Sequence, residues 1–322
     1  MEKQLQQLQK QLQTESNQPI LLVGPRGTGR FSTLLALIKK INNLNDKEIK
    51  AVAKGQFPDV ILLESEKDHL FSQNFSEKTV SNNDKKKSSS TVKKKPKNKI
   101  IKEQVDQMME QINLKNFQLK RKILIIKSAD QLNSATANSL LKLLEEPNDN
   151  LLIFLLATNT KDLLETIYSR CRPMKFSLLS GEKIISLLRK EFSLSDEQAK
   201  EIARFARGRI ELARRFAQEP EQLQLVKDLQ EKFRQALRGG LLTSLQLTEN
   251  ITQSEHDTIW ILNEWIWYLK EFLEENIKNN QSSLVIKKVH KILEELLKLR
   301  NILKTTSADK KIQLENFFLQ IQ

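Results

Sequence analysis

The stretch Ile123–Phe176, ILIIKSADQLNSATANSLLKLLEEPNDNLLIFLLATNTKDLLETIYSRCRPMKF, decides the fold. It opens on Ile123–Ile126 and later holds Leu151–Leu156, two short apolar runs with polar borders, as expected of strands buried on both faces. Between them, Ser134 to Glu146 carries Leu140, Leu141 and Leu144 on one helical face; Ser134 is placed to cap the start, and Pro147 stops the helix. Working outward, Ile20–Val23 and Val60–Leu63 repeat the strand pattern. Strand and helix alternate as far as Phe176, which predicts an α/β layer built on a parallel sheet. Beyond it only helical periodicity remains, through Glu182–Lys190, Asp196–Gln218 and Pro220–Leu237. Gly239 and Gly240 then read as a hinge before further amphipathic helices. The expected division is an α/β core over 1–176, a small helical lid over 177–238 and an all-helical domain over 239–322.

The first strand runs directly into GPRGTGRF, Gly24 to Phe31, and a helix is expected from about Ser32. This is the setting of a phosphate-binding loop, in which backbone amides cradle phosphates, a Lys contacts the terminal ones and a hydroxyl holds magnesium. Gly24, Gly27 and Gly29 keep the glycine frame, but Arg30 stands in place of the Lys and Phe31 in place of the hydroxyl. A phenyl ring cannot ligate magnesium. After the strand Ile123–Ile126, where a metal-binding Asp and a water-orienting Glu would follow, the sequence has Lys127 and Ser128. Asp130 lies three residues past Lys127, too far along to serve as a substitute at the strand tip. Two separate losses describe a vestigial nucleotide site that holds no Mg-ATP.

Downstream of Thr158 and Asn159 comes Tyr168-Ser169-Arg170-Cys171-Arg172-Pro173. With these residues in view, Ile123–Phe176 resembles the clamp-loader branch of the AAA+ proteins, and within it the delta-prime type of subunit. GQFPDVILLE at Gly55–Glu64 and ARFARGRIELA at Ala203–Ala213 extend the resemblance, which covers 19–220. It implies an AAA+ core with lid and oligomerising collar, and a non-hydrolysing stator subunit of the DNA polymerase III clamp loader. On this resemblance Thr158 and Asn159 take a sensor-1-like place. Arg170, within Ser169-Arg170-Cys171, is the arginine finger offered in trans to a neighbouring ATPase subunit, a task suited to a planar, permanently charged guanidinium. The lid pattern Gly208-Arg209-Ile210-Glu211 lacks the family's fourth-position arginine, unless Arg209 or Arg214 fills that role. Implied partners are the delta and gamma or tau subunits, with the sliding clamp and primed DNA as substrates of the hetero-oligomer. The region Ile49–Phe57 lacks the cysteine cluster common in relatives, so no zinc is expected. The alternatives are an ATP-hydrolysing gamma or tau type subunit and a stand-alone nucleic-acid binder.

Composition agrees with this picture. The 322 residues carry a net charge of +13, but Asn82–Lys99 holds eight Lys against one Asp, so the remainder is only mildly basic. That lysine-rich insertion lacks the apolar content to order itself and is expected to be solvated and disordered. The single cysteine, Cys171, is expected to be an inert packing residue, and three scattered histidines offer no metal cluster. A polar, Gln-rich start and the absence of a long apolar run predict a cytoplasmic protein with no membrane partner. Trp260, Trp265, Trp267 and Tyr268 fall in one helical stretch and are expected mainly in a core.

Overall fold

The computed structural model describes residues 2–13, 17–64, 100, 102–254, 256–279 and 283–321; the insertion at 82–99 and His69 lie outside them. The chain separates into two compact units, Met1–Arg214 and Arg215–Gln322.

The first unit is built on five strands, β1 Ile20–Val23, β2 Val60–Leu63, β3 Lys122–Ile126, β4 Leu151–Ala157 and β5 Arg172–Lys175. All pairings are parallel, in the order β2-β3-β4-β1-β5. Alternate strand residues enter different cores. Leu21, Leu124, Ile126, Ile153 and Leu155 join one cluster, while Ile20, Leu22, Ile123, Ile125, Phe154 and Leu156 join the other. A sheet buried on both faces needs helices on both. One face is covered by α1 Glu2–Gln13, α2 Arg30–Asn42 and α3 Asp46–Ala53, and the other by α4 Lys102–Asn113, α5 Ser134–Glu145 and the short α6 Glu165–Tyr168.

One expectation is corrected here, and two elements are added that no apolar run or cap had marked. The cap of α5 is Asn133, whose side chain accepts from Thr136 N–H, so Ser134 is the first helical residue instead. The polar N-terminal stretch forms a helix, because Leu5, Leu8 and Leu12 line one face and pack into the core, with Leu8 fully buried. A fifth strand follows Cys171; at the sheet edge it tolerates Pro173 and buries only Met174 of its four residues.

After β5 the unit continues with α7 Gly181–Phe192, α8 Asp196–Ala206 and the start of α9 Ile210–Gln218. The expected helix over Asp196–Gln218 is two helices, because Arg207 and Gly208 adopt left-handed backbone conformations between them. The second unit holds α10 Pro220–Gln253, α11 Thr258–Lys278, α12 Ser283–Thr305 and α13 Lys310–Ile321 around one core. Within α10, Gly240 (φ 75°, ψ −170°) breaks the helix at the glycine pair. Trp265 is fully buried at the centre, stacked 4.3 Å from Phe233, and its indole N–H donates to Leu229 O at 3.1 Å.

Asp59, just before β2, organises the approach to β3. Its buried carboxylate accepts from the N–H groups of Phe117 (2.8 Å), Gln118 (2.5 Å) and Leu119 (2.7 Å). Burial pushes the carboxyl upward, but these three donors and Lys122 outweigh it and hold it below the ordinary value. Asp59→Ala is expected to cost about 3 kcal/mol by leaving three donors without their acceptor. Because the folded-state pKa is depressed, this stabilisation is complete above about pH 4 and is lost as the pH falls through the folded-state value. Urea denaturation at pH 7 and at progressively lower pH checks this: the gap between wild type and variant should narrow on acidification.

Candidate functional site

The loop between β1 and α2 sits at the carboxyl ends of the strands, where open α/β sheets bind ligands. Gly24 N–H donates to Ala157 O at 3.1 Å, and a Cβ on Gly24 would lie 2.1 Å from Phe176 O, so no larger residue fits between the β4 and β5 exits. Arg30 begins α2 and turns its Nη1 onto Ala157 O. Burial lowers the Arg30 guanidinium from its ordinary pKa, with Asp130 and Glu211 acting in the opposite direction and Arg26 adding to the fall.

The structure brings Phe31 and Lys127 together. Lys127 Nζ lies 4.1 Å from the centre of the Phe31 ring, a cation–π contact, and 2.9 Å from Glu64 Oε2. The side chains of Lys127 and Glu64 are only 15% and 10% exposed, so this ion pair is largely withdrawn from water. Its origin is the sheet register. Leu63 lies opposite Ile126, so the residues that follow, Glu64 and Lys127, leave paired strands side by side. At the positions of Phe31 and Lys127 a divalent cation would meet a phenyl ring and an ammonium, neither of them an oxygen ligand.

Ser128 adopts a left-handed conformation (φ 55°) that starts a short 3₁₀ turn, Ala129–Gln131. The turn carries Asp130 back to the strand ends, where its Oδ2 accepts from Thr158 N–H at 3.2 Å. Asp130 therefore belongs to the site region, contrary to the expectation that it had left the strand tip. Asn159 is engaged in its own turn, its Oδ1 accepting from Lys161 N–H (2.7 Å) and Asp162 N–H (3.0 Å).

The lid segment reaches the same loop. Glu211 N–H donates to Gly27 O at 3.0 Å, Ser32 Oγ donates to Glu211 Oε1 at 2.6 Å, and Arg209 lies over Gly27, its Cβ 3.1 Å from where a Cβ would stand there. A glutamate thus occupies the fourth lid position, and Arg214 makes two 2.7 Å bonds to Glu191.

Arg170 lies elsewhere, just after α6. Its Nε donates to Glu145 Oε1 at 2.7 Å, Nη2 pairs with the same oxygen, and Nη1 donates to Thr166 O (2.8 Å) and Ser169 Oγ (3.4 Å). The side chain is 30% exposed, beside an open groove lined by Asn17, Gln18, Pro147 and Ser169.

A family model described as DNA polymerase III, delta subunit, matches residues 1–180, more than half of the chain. The chain belongs to that family. The delta' subunit of DNA polymerase III from Bacillus subtilis (strain 168) is 28% identical over 172 residues, 51% of this chain and 43% of that protein. The delta' subunit from Haemophilus influenzae is 32% identical over 96 residues, 30% of this chain and 29% of that protein. The aligned stretches thus span less than half the length of either relative. A crystal structure of a DNA polymerase III gamma subunit-related protein from Thermotoga maritima superposes with a TM-score of 0.52 at 16% identity, covering 99% of this chain and 98% of that one. At such identity the likeness bears on the fold alone, a parallel-sheet α/β core followed by helices.

In this member of the DNA polymerase III delta subunit family, Cys171 is buried in the core cluster that also holds Leu163 and Ile167, and burial pushes its thiol up to about 12, which leaves it protonated and unreactive at neutral pH. Among the described residues, no group of three or more His, Cys, Asp or Glu could hold a metal ion, and no helix is long and apolar enough to cross a membrane. Glu64 and Glu145 escaped the sequence reading, and Glu211 entered it only as the residue standing where an arginine was missing, because each meets its partner only through strand pairing or packing. Glu64 alone left a trace: VILLE and ILIIK end in opposite charges at matching places after two strands.

Proposed function

We propose that the chain is the non-hydrolysing delta-prime, or stator, subunit of a DNA polymerase III clamp loader, and that it supplies Arg170 in trans to a neighbouring ATPase subunit. The observation that carries this reading is the Phe31–Lys127–Glu64 cluster. An ammonium group and an aromatic ring occupy the two positions from which a hydrolysing site would present its metal ligands. Arg30, tied to Ala157 O, is drawn away from the phosphate-contacting task of the residue it replaces. The subunit works by shape and by its arginine, with no Mg-ATP or zinc of its own. Its partners are the delta and gamma or tau subunits, and through the complex the sliding clamp and primed DNA in the cytoplasm.

The test is nucleotide binding and turnover by the purified chain. No magnesium-dependent hydrolysis above background and no retained ATP are expected. Phe31→Thr alone should restore nothing, since Lys127 still holds the metal's place beside Glu64. Magnesium-dependent turnover by the wild-type chain would return it to the gamma or tau class.

A further inference from the structure

A guanidinium presents five N–H donors. In Arg170 four donations are already made within its own domain: Nε and Nη2 to Glu145 Oε1, and Nη1 to Thr166 O and Ser169 Oγ. One N–H of Nη2 is left outside these bonds, whereas an arginine that grips a phosphate fork to fork uses two. Engaging a phosphate on another subunit through the side-on fork, Nε with Nη2, therefore requires Arg170 to release Glu145.

Glu145 is itself oddly placed. It is the last residue of α5, with Glu146 directly after it, so two carboxylates sit at the negative end of a helix dipole. Local helix physics disfavours them there, and the Arg170 cation compensates. The pair is also accessible, with Glu145 48% and Arg170 30% exposed beside the open groove.

We propose that Glu145 is a latch: its carboxylate occupies Arg170 in the unengaged subunit and competes with the neighbour's phosphate for the same donors. This rests on the reading of Arg170 as a trans-acting finger and adds its regulation. The latch is shallow. An exposed ion pair has the strength to change an equilibrium about two- to fivefold, so a phosphate with more than one negative charge displaces it, while a site without nucleotide does not.

The experiment compares wild type, Glu145→Gln, Arg170→Ala and the double variant, each as the full chain reconstituted with wild-type ATP-hydrolysing subunits, clamp and primed DNA. Glu145→Gln should lower the ATP concentration for half-maximal turnover about two- to fivefold with the melting temperature of the subunit unchanged. The double variant should match Arg170→Ala. An unchanged or raised half-maximal concentration in Glu145→Gln overturns the latch, as does a gain that persists when Arg170 is absent; in both cases a loss of turnover in Arg170→Ala leaves the finger reading standing. If Arg170→Ala itself turns over like wild type, the finger reading falls and the latch with it.

Discussion

Arg170→Ala, in a reconstituted complex, is expected to cut ATP hydrolysis at the one site it faces by about 10³- to 10⁵-fold, the range over which a trans-acting arginine completes a phosphoryl-transfer site. On the reading of Arg170 as a finger in trans, the total turnover of the complex falls less wherever further ATPase sites carry arginines of their own. Clamp loading on primed DNA should fall further than total turnover wherever the sites fire in a coupled order. The chain's own fold should hardly register the change: the Arg170–Glu145 pair is partly exposed, and such pairs contribute about 1 kcal/mol or less. Arg170→Lys should rescue little, since a lysine keeps the charge but not the planar fork. Steady-state ATPase and clamp-loading assays on the variant complex, set beside thermal melts of the free subunit, check all three expectations. Wild-type rates in both assays would reduce Arg170 to an ordinary surface residue with a carboxylate partner.

The largest stability effect is expected at Trp265. Trp265→Ala removes a fully buried indole from contact with Phe233 and Phe318 and takes away the N–H bonded to Leu229 O. Truncations of this kind cost about 3–5 kcal/mol, enough to threaten a four-helix unit that has this residue at its centre. Trp265→Phe should cost less, because an aromatic face against Phe233 is kept while the hydrogen bond is lost. Denaturant unfolding followed by circular dichroism measures both. A loss under about 1 kcal/mol for the alanine variant would mean that the second unit does not depend on this stack.

Much of the fold could be read directly because buried parallel strands leave uninterrupted apolar runs. Ile20–Val23 and Val60–Leu63 are strands at those bounds, and Ile123–Ile126 and Leu151–Leu156 are each extended by one residue. The edge strand β5 was illegible for the complementary reason: RPMK has one buried side chain and a proline, so nothing in it alternates or runs apolar. The N-terminal helix was hidden by glutamines that surround its three leucines. At the site, single positions were legible as losses. Their compensation was not. That Phe31 and Lys127 would meet, and that Glu64 would neutralise Lys127, depends on which strands are neighbours and in what register, information that is not local to any stretch of sequence.

That cluster also bears on how such a site could change. Reversing Lys127 alone to an aspartate would set two carboxylates side by side, with Glu64 only 10% exposed, and would still leave a phenyl ring where the hydroxyl belongs. Buried like charges destabilise one another, so the first step toward a working site is uphill before any catalysis is regained. Reversing Phe31 alone strips the ring from the ammonium and returns no metal ligand opposite it. Converting this cluster into a metal site therefore calls for coordinated replacement at Phe31 and Lys127 beside Glu64, which couples three positions that lie far apart in the sequence.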